Sequence, residues 1–401
     1  MLISYKFRIY PSKTIEEKLV EQLEICRWLY NRLLEEVNEA RKEGRKITWK
    51  DTQSLIVKLK QERSELKNVY SKVLQMVNYQ LWSNIKALAK LKQNGKKVGW
   101  LRYKTSLNSF KTLNFNQSGF KIDFERKKLV LSKVGEIRIK LHRPIEGKIK
   151  GVIIKRTKTE KWFAIVQAEV GEKPLPKTGR VVGIDLGVNY FCVDSDGIAF
   201  ENPKFIDRTL EKIKKVQKEL SRKQKNSKRR EKVRLKLAKL YEKLENQRLD
   251  FLHKLSRYYV NNYDVICVEN LDVKDLVENG KSSTLNRHIH DSSWSKFLSL
   301  LAFKAERAGR RVVRVKPANT SKRCANCGYV VKDLYLRDRW FICPNCGWEA
   351  DRDLNASLNI LDVGAGTVPN ARGERSSTSR DSLSERDRRA SSLCEAGSPV
   401  R

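Results

Sequence analysis

Two CxxC pairs, Cys324-Ala-Asn-Cys327 and Cys343-Pro-Asn-Cys346, stand fifteen residues apart near the end of the chain. Four thiols at that spacing are the ligand set of a zinc ribbon. Gly328 and Gly347 follow the two pairs and permit the turn that aims sulfur and backbone amides at one point. Four thiolates close a tetrahedron and leave no position for water, so Zn²⁺ held there is structural rather than catalytic. Two redox dithiols are the competing reading of the same residues. Lys322 and Arg323 at the border of the first pair fit a nucleic-acid contact. Of the other four cysteines, Cys26, Cys192 and Cys267 lie in apolar contexts and read as reduced core residues, and Cys394 lies in the C-terminal tail.

Charge narrows the partner. The 401 residues carry 84 basic and 47 acidic side chains, a net +37. Self-repulsion at that imbalance works against a compact state, and a polyanion relieves it. A thermophile's Lys-rich surface is the bland alternative, but it normally carries nearly matching Glu. Hydrophobic residues make up 40%, too many for a wholly disordered chain. No run of about 18 apolar residues encodes a membrane span. The first residues, Met1 to Arg8, alternate apolar and polar, a strand pattern rather than a signal peptide, so a cytoplasmic, nucleoid-associated protein is expected.

The hydrophobic period changes along the chain. Residues 2–10 read as a strand, and Ser12 or Thr14 caps a helix carrying Ile15, Leu19, Leu23, Trp28 and Leu29. Helical patterns continue through 52–60 and 70–92, so 12–95 reads as a helical bundle. Short β-branched and aromatic segments follow at 120–125, 128–132, 136–142, 149–157 and 161–170, the signature of an antiparallel barrel or sandwich. If strand 2–10 belongs to it, the helices are an insertion. After a Pro-containing linker at 173–176 come an apolar strand ending in Asp185, a second at 190–193, a helical hairpin at 208–258, a strand ending in Glu269, a helix at 293–308, a strand at 311–315 and a short helix at 353–361. Residues 211–250 of the hairpin hold 16 basic and 6 acidic residues, 16 − 6 = +10. Residues 364–401 hold seven basic and five acidic residues and almost no apolar periodicity, so they read as a disordered tail.

Asp185 and Glu269 each stand at or just past the end of an apolar strand, where ligand sites of open α/β sheets gather. A third carboxylate lies in Asp351-Arg352-Asp353, where a helix N-cap is the ordinary role for Asp. Periodicity does not decide which of the two caps the helix. Convergent carboxylates repel unless a cation sits among them, and hard Mg²⁺ or Mn²⁺ prefers such oxygens. Two such ions about 3.5–4 Å apart hydrolyse phosphodiesters by activating water and stabilising the leaving oxygen. No Ser-His-Asp arrangement competes; His288 and His290 read as solvent or nucleic-acid contacts in a polar loop.

Gly183-Ile-Asp-Leu-Gly-Val-Asn189, Val268-Glu-Asn-Leu271 and Asp351-Arg-Asp-Leu-Asn-Ala356 resemble the three RuvC motifs of the TnpB (OrfB) family. Thr320-Ser-Lys-Arg-Cys324 leading into the four cysteines, Arg248-Leu-Asp-Phe-Leu-His-Lys254 and Trp28-Leu-Tyr-Asn31 are similar to other family signatures, and the resemblance covers about 1–362 in the family's order. It implies that Asp185, Glu269 and Asp353 are the catalytic metal ligands, and it alone chooses Asp353 over Asp351. It implies an α/β fold with all-β and all-α parts: a wedge β-barrel at 1–11 and 96–175, and a helical recognition lobe at 12–95. An RNase H-like RuvC nuclease would occupy 180–320 and 350–363, and a zinc-ribbon target-nucleic-acid-binding domain 321–349. It further implies catalytic Mg²⁺ or Mn²⁺, structural Zn²⁺, a guide RNA from the transposon end and duplex target DNA bearing a short flanking motif. In such systems base pairing reads sequence while the protein holds the heteroduplex by shape and backbone. The protein would act as a monomer with its RNA, or as a dimer.

Other functions fit less of the sequence. A nuclease-dead RNA-guided regulator is expected to lack one of the three carboxylates. A transposase of the single-strand kind needs a His-hydrophobic-His strand with a Tyr, and only His288-Ile-His290 offers part of that. A guide-independent junction resolvase has no use for some 170 residues of basic N-terminal chain.

Overall fold

The computed structural model describes residues 1–107, 109–271, 283–316, 320–334 and 338–366. It divides into two units, Met1–Gly171 and Glu172–Arg401.

The first unit begins with β1 (Leu2–Tyr10), whose alternation buries Ile3, Tyr5, Phe7 and Ile9 on one face. Ser12, not Thr14, caps α1 (Lys13–Lys42), its hydroxyl accepting the Ile15 amide at 3.4 Å. α2 (Trp49–Glu62) and α3 (Ser71–Gln93) are joined through buried polar groups. The Thr52 hydroxyl donates to Asn78 at 2.8 Å and receives the Trp82 indole N–H at 2.8 Å, so polar atoms taken from water are paired. Six strands follow: β2 (Thr112–Asn116), β3 (Phe120–Asp123), β4 (Lys128–Leu131), β5 (Gly135–Lys140), β6 (Lys148–Arg156) and β7 (Trp162–Glu169). They form one antiparallel sheet with β1 in the order β2-β6-β7-β1-β5-β4-β3, curled into a nearly closed barrel. β1 sits in its middle, paired with β7 from Leu2↔Glu169 to Ile9↔Trp162 and with β5 on its other edge. The helices are therefore an insertion between the first two strands. One core runs through both parts, with Leu19, Leu23 and Leu33 joined to Phe7, Ile9, Leu129 and Ile154. The sequence reading missed strand β2: Leu113 and Phe115 alternate with Thr112, Asn114 and Asn116, but the run is only five residues long and Asn is depleted in strands.

The second unit contains β8 (Val181–Leu186), β9 (Tyr190–Asp194), β10 (Ala199–Glu201), α4 (Phe205–Ser221), α5 (Lys228–Asn262), β11 (Val265–Glu269), α6 (Ser283–Ser292), α7 (Trp294–Arg307), β12 (Arg311–Val315), β13 (Trp340–Ile342), β14 (Glu349–Asp351) and α8 (Arg352–Gly366). Its five-stranded sheet runs β10-β9-β8-β11-β12. β10, β9 and β8 pair antiparallel, whereas β8, β11 and β12 are parallel. Parallel strands are covered on both faces, which is why Val181–Ile184 and Val265–Val268 are continuous apolar runs.

Asp185, expected at or just past the end of an apolar strand, is the penultimate residue of β8. Two expectations change here. His288 and His290 lie within helix α6, not in a polar loop; the polar run Asn286 to Ser292 hides a helical segment with Ile289 buried. The last helix continues to Gly366, past the expected boundary at 364, and the remainder of the tail with Cys394 lies outside the described residues. Among the described residues no helix is long and apolar enough to cross a membrane.

Candidate active site

Strand alternation decides what the site can contain. Side chains two apart on a strand share a face. Val182, Ile184, Ile266 and Val268 pack into the core built with α5 and α7, where Leu255, Tyr259, Phe297 and Leu301 are buried. Val181, Val265, Cys267, Val313 and Val315 point the other way, onto Ile360 of α8. Asp185 follows Val181 and Gly183 in this second set, and Glu269 follows Val265 and Cys267. β8 and β11 are parallel with Ile184 opposite Val268, so the next residue on each strand, Asp185 and Glu269, are neighbours on the face that α8 covers. Adjacent strands lie about 4.8 Å apart.

Helix α8 brings the third carboxylate. A β-carbon on Gly183 would stand 2.1 Å from the Ser357 carbonyl oxygen and 2.6 Å from the Leu361 amide, so the missing side chain lets the helix backbone rest directly on β8. At the other end of the contact, a β-carbon on Gly187 would stand 3.9 Å from the Asp353 Oδ2 atom. The helix thus runs antiparallel to the strand, with its first turn over the strand's C-terminal end. Gly364 plays a matching part against Cys267, whose sulfur would meet an added β-carbon at 2.3 Å. The ambiguity between the two aspartates is resolved by hydrogen bonding. Asp351 accepts the amides of Asp353 at 2.8 Å and Leu354 at 3.2 Å, the pattern of an N-cap. Asp353 is left free to face the sheet, with Arg339 Nη1 4.0 Å from its Oδ1.

The three carboxyls resist ionisation together. Burial raises Asp185 well above its usual range, and the charges of Glu269 and Asp353 raise it further. Burial also raises Glu269, opposed by a hydroxyl hydrogen bond from Thr320. Burial and then the charge of Asp351 raise Asp353, with Arg339 and Arg352 opposing. Such a group of clustered, partly desolvated carboxylates marks a site for a cation or a proton.

The four cysteines are closer still, their sulfurs all within 4.8 Å of one another; among the described residues they are the group of three or more ligating side chains already gathered around one point. Cys324 and Cys346 sulfurs are 3.7 Å apart, and those of Cys327 and Cys343 3.5 Å. A tetrahedral metal with bonds of about 2.3 Å places its sulfurs about 3.8 Å apart, so the set fits. The two knuckles are alike. The amides of Gly328 and Gly347 donate to the carbonyls of Cys324 and Cys343 at 2.9 Å, with φ of 79° and 70°. The amide side chain of Asn345 donates to Cys327 at 3.5 Å and that of Asn326 to Cys346 at 3.7 Å, each reaching across to the other pair. The Asn345 contact lowers the Cys327 thiol to about 6, whereas burial pushes Cys324 up to about 12. The apolar support is small, Phe341 with Val331, Leu334 and Trp348 around two of the cysteines, too little to hold a fold by burial alone.

The sequence reading missed how the four-cysteine segment and the carboxylates are joined. Asn355 and Asn359, one turn apart on α8, are fully or almost fully buried. Asn355 accepts the Ala325 amide at 3.0 Å and donates to the Arg323 carbonyl at 2.8 Å. Asn359 donates to the carbonyls of Thr320 and Arg323 at 2.9 and 2.7 Å. Two Asn at a spacing of four among Leu354, Ala356 and Ile360 were the available signal. On the far side of the segment, β14 passes directly into α8 through Asp351.

Comparison with known proteins agrees with this architecture. Family models match residues 164–280 ("Probable transposase", the OrfB protein of IS605-type elements), 294–360 ("Cas12f1-like, TNB domain") and 1–46 ("Helix-turn-helix domain"). A protein of Streptomyces pristinaespiralis named "Putative RNA-guided DNA endonuclease" is 32% identical over 96% of each chain. The protein InsQ of Escherichia coli K12, of the same description, is 30% identical over 90% of this chain and 92% of its own. Among solved structures, the Cas12f1–sgRNA–target DNA complex shares the fold with a TM-score of 0.57 at 15% identity, covering 90% of this chain and 98% of that one. The chain belongs to the TnpB (OrfB) family.

Proposed function

We propose that this chain is a transposon-associated, RNA-guided DNA endonuclease that hydrolyses phosphodiester bonds at Asp185, Glu269 and Asp353. One observation carries the reading: Asp185 and Glu269 share one face of the sheet, the helix covering that face brings Asp353 close enough for its charge to act on Asp185, and each of the three is held above its usual pKa by burial and, for Asp185 and Asp353, by neighbouring negative charge. The donor set is all oxygen, which fits Mg²⁺ or Mn²⁺. Bound there, a pair of such ions supplies the activated water and the stabilised leaving oxygen. The chain's own part is to fix the donors. β8 and β11 set the Asp185–Glu269 spacing, and the Asp351 cap leaves Asp353 facing the sheet. Zn²⁺ on Cys324, Cys327, Cys343 and Cys346 is structural, since four thiolates leave it no open position.

The division of labour follows. Residues 180–320 and 350–363 form the RuvC nuclease, 321–349 the zinc ribbon, 1–11 and 96–175 the wedge barrel, and 12–95 the recognition lobe. The surplus of +37 serves a guide RNA from the transposon end and a duplex target with its short flanking motif, in the cytoplasm. The test is to purify the protein from its host, sequence the RNA bound to it, and supply Mg²⁺ with a duplex matching that RNA. Cutting of the matched duplex and not of a scrambled one supports the reading. Bound RNA without cutting favours a guided binding protein, and the absence of bound RNA overturns the guided reading.

A further inference from the structure

The hydrogen bond from Thr320 to Glu269 joins the four-cysteine segment to the carboxylates at a second point, besides the β14–α8 junction. Thr320 is 5% exposed and Glu269 7%, so both partners are out of water. The Thr320 hydroxyl donates to Glu269 Oε1. The Thr320 backbone carbonyl in turn accepts the Asn359 side-chain amide at 2.9 Å, and Asn359 is 2% exposed. Asn359 also donates to the Asn355 carbonyl at 3.0 Å, one turn back on its own helix. That same helix carries Asp353. A continuous line of buried polar contacts therefore runs from Glu269 through Thr320 and Asn359 into the helix that presents Asp353.

We infer that Thr320 is a positioning residue of the nuclease, holding the Glu269 carboxylate in one orientation so that Glu269 and Asp353 are set by the same helix. The inference rests on the proposed metal-binding role of the trio. A carboxylate with one oxygen engaged by a hydroxyl is fixed in orientation and keeps its other oxygen and remaining lone pairs for a cation. Groups that orient a ligating carboxylate typically contribute 10- to 100-fold to metal affinity or activity. The second γ-substituent of Thr320 is a methyl group, so Thr320→Val keeps the shape and removes only the donor.

Three full-length variants separate the outcomes: Thr320→Val, Thr320→Ser and Asp185→Ala. Mn²⁺ uptake by the RNA-free chain is followed through the free-ion EPR signal, and target cleavage by the RNA-bound protein is measured against Mg²⁺ concentration. Zinc content and the thermal melt serve as controls for folding. Thr320→Val should weaken Mn²⁺ binding and shift the Mg²⁺ requirement upward by about 10-fold or more, with zinc content unchanged. Thr320→Ser, which restores the hydroxyl, should recover most of both. Wild-type Mn²⁺ affinity and Mg²⁺ dependence in Thr320→Val overturn the inference, as does a Thr320→Ser variant no better than Thr320→Val. If Asp185→Ala loses Mn²⁺ uptake while Thr320→Val keeps it, the positioning role fails and the metal site stands. A wild-type chain that takes up no Mn²⁺ removes the site itself.

Discussion

Asp351 accepts the backbone amide of Asp353 at 2.8 Å, so the first aspartate of Asp351-Arg352-Asp353 is spent on ending β14 and starting α8 while the second is released toward the sheet. Two side chains of one chemical type, two residues apart, have separate tasks. Asp351→Asn should leave cleavage near normal, because Asn caps a helix as well as Asp does. Asp351→Ala should cost about 1 kcal/mol of stability and reduce cleavage only in part. Asp353→Asn should abolish cleavage, a loss of about a thousandfold or more, matching the several kcal/mol that bound metal ions supply. Paired melts and cleavage rates check this. Equal loss from Asp351→Asn and Asp353→Asn contradicts the assignment.

Gly183 is required by contact rather than by flexibility. A β-carbon there would stand 2.1 Å from the backbone oxygen of Ser357, an atom with no rotamer to yield. Gly183→Ala should push α8 off β8, destabilise by about 1–3 kcal/mol, and separate Asp353 from Asp185. Gly99→Ala is the control, since nothing lies within 4 Å of its added carbon. Urea titration of both variants, read beside cleavage, tests the prediction; a harmless Gly183→Ala would show that the helix is not seated as described.

Asp194 faces away from the carboxylate trio, into the core beside Tyr259, with its carboxylate accepting the Ile198 amide at 2.9 Å and the Asp196 amide at 3.1 Å. Burial raises it to about 7, from an ordinary value of 3.8. A folded-state pKa above the unfolded one means that stability is fully present below about pH 4 and falls as the pH rises toward 7. Asp194→Asn keeps an acceptor for the two amides and carries no charge. Its stability relative to the natural protein should therefore rise across that window and level off above it, by at most about 4 kcal/mol at 1.36 kcal/mol per pKa unit. A difference that stays flat with pH, in urea titrations from acid to neutral, contradicts this.

The four-cysteine ribbon has too small an apolar core to persist without its metal. Cys324→Ser, or a strong chelator, should release stoichiometric zinc and unfold the ribbon locally. Because Thr320 and Asp351 flank it, cleavage should fall together with the zinc. The β8–β11–β12 sheet, with its own core of Ile184, Ile266 and Phe297, should still melt cooperatively. An unchanged thermal melt with zinc retained counts against four-thiolate ligation.

How much could be read from residues alone follows from what periodicity records. Apolar runs placed Asp185 and Glu269 near strand ends, whereas the alternation of 2–10 left open whether that strand joins the later ones, which its pairing with β5 and β7 decides. The reading overlooked β2, whose alternation spans only five residues and carries two Asn, a residue depleted in strands, and it read α6 as a loop because His288, His290 and Asp291 crowd a short helix. Nothing local in the sequence tells which of the two aspartates caps the helix; Asp353 was chosen as the ligand by family resemblance, and the hydrogen bonds identify Asp351 as the cap. Gly183, Asn359 and Thr320 act through partners 174, 39 and 51 positions away. Contacts at that range leave no periodic trace.

The most direct test is a crystal structure of the full chain grown with Mn²⁺, read by its anomalous scattering. The account predicts manganese between β8, β11 and the first turn of α8, ligated by oxygens of Asp185, Glu269 and Asp353, with paired ions about 3.5–4 Å apart when a nucleic-acid phosphate is present. Carboxylate oxygens that stay more than about 10 Å from one another, too far to share such a pair, or manganese bound only elsewhere, would contradict it.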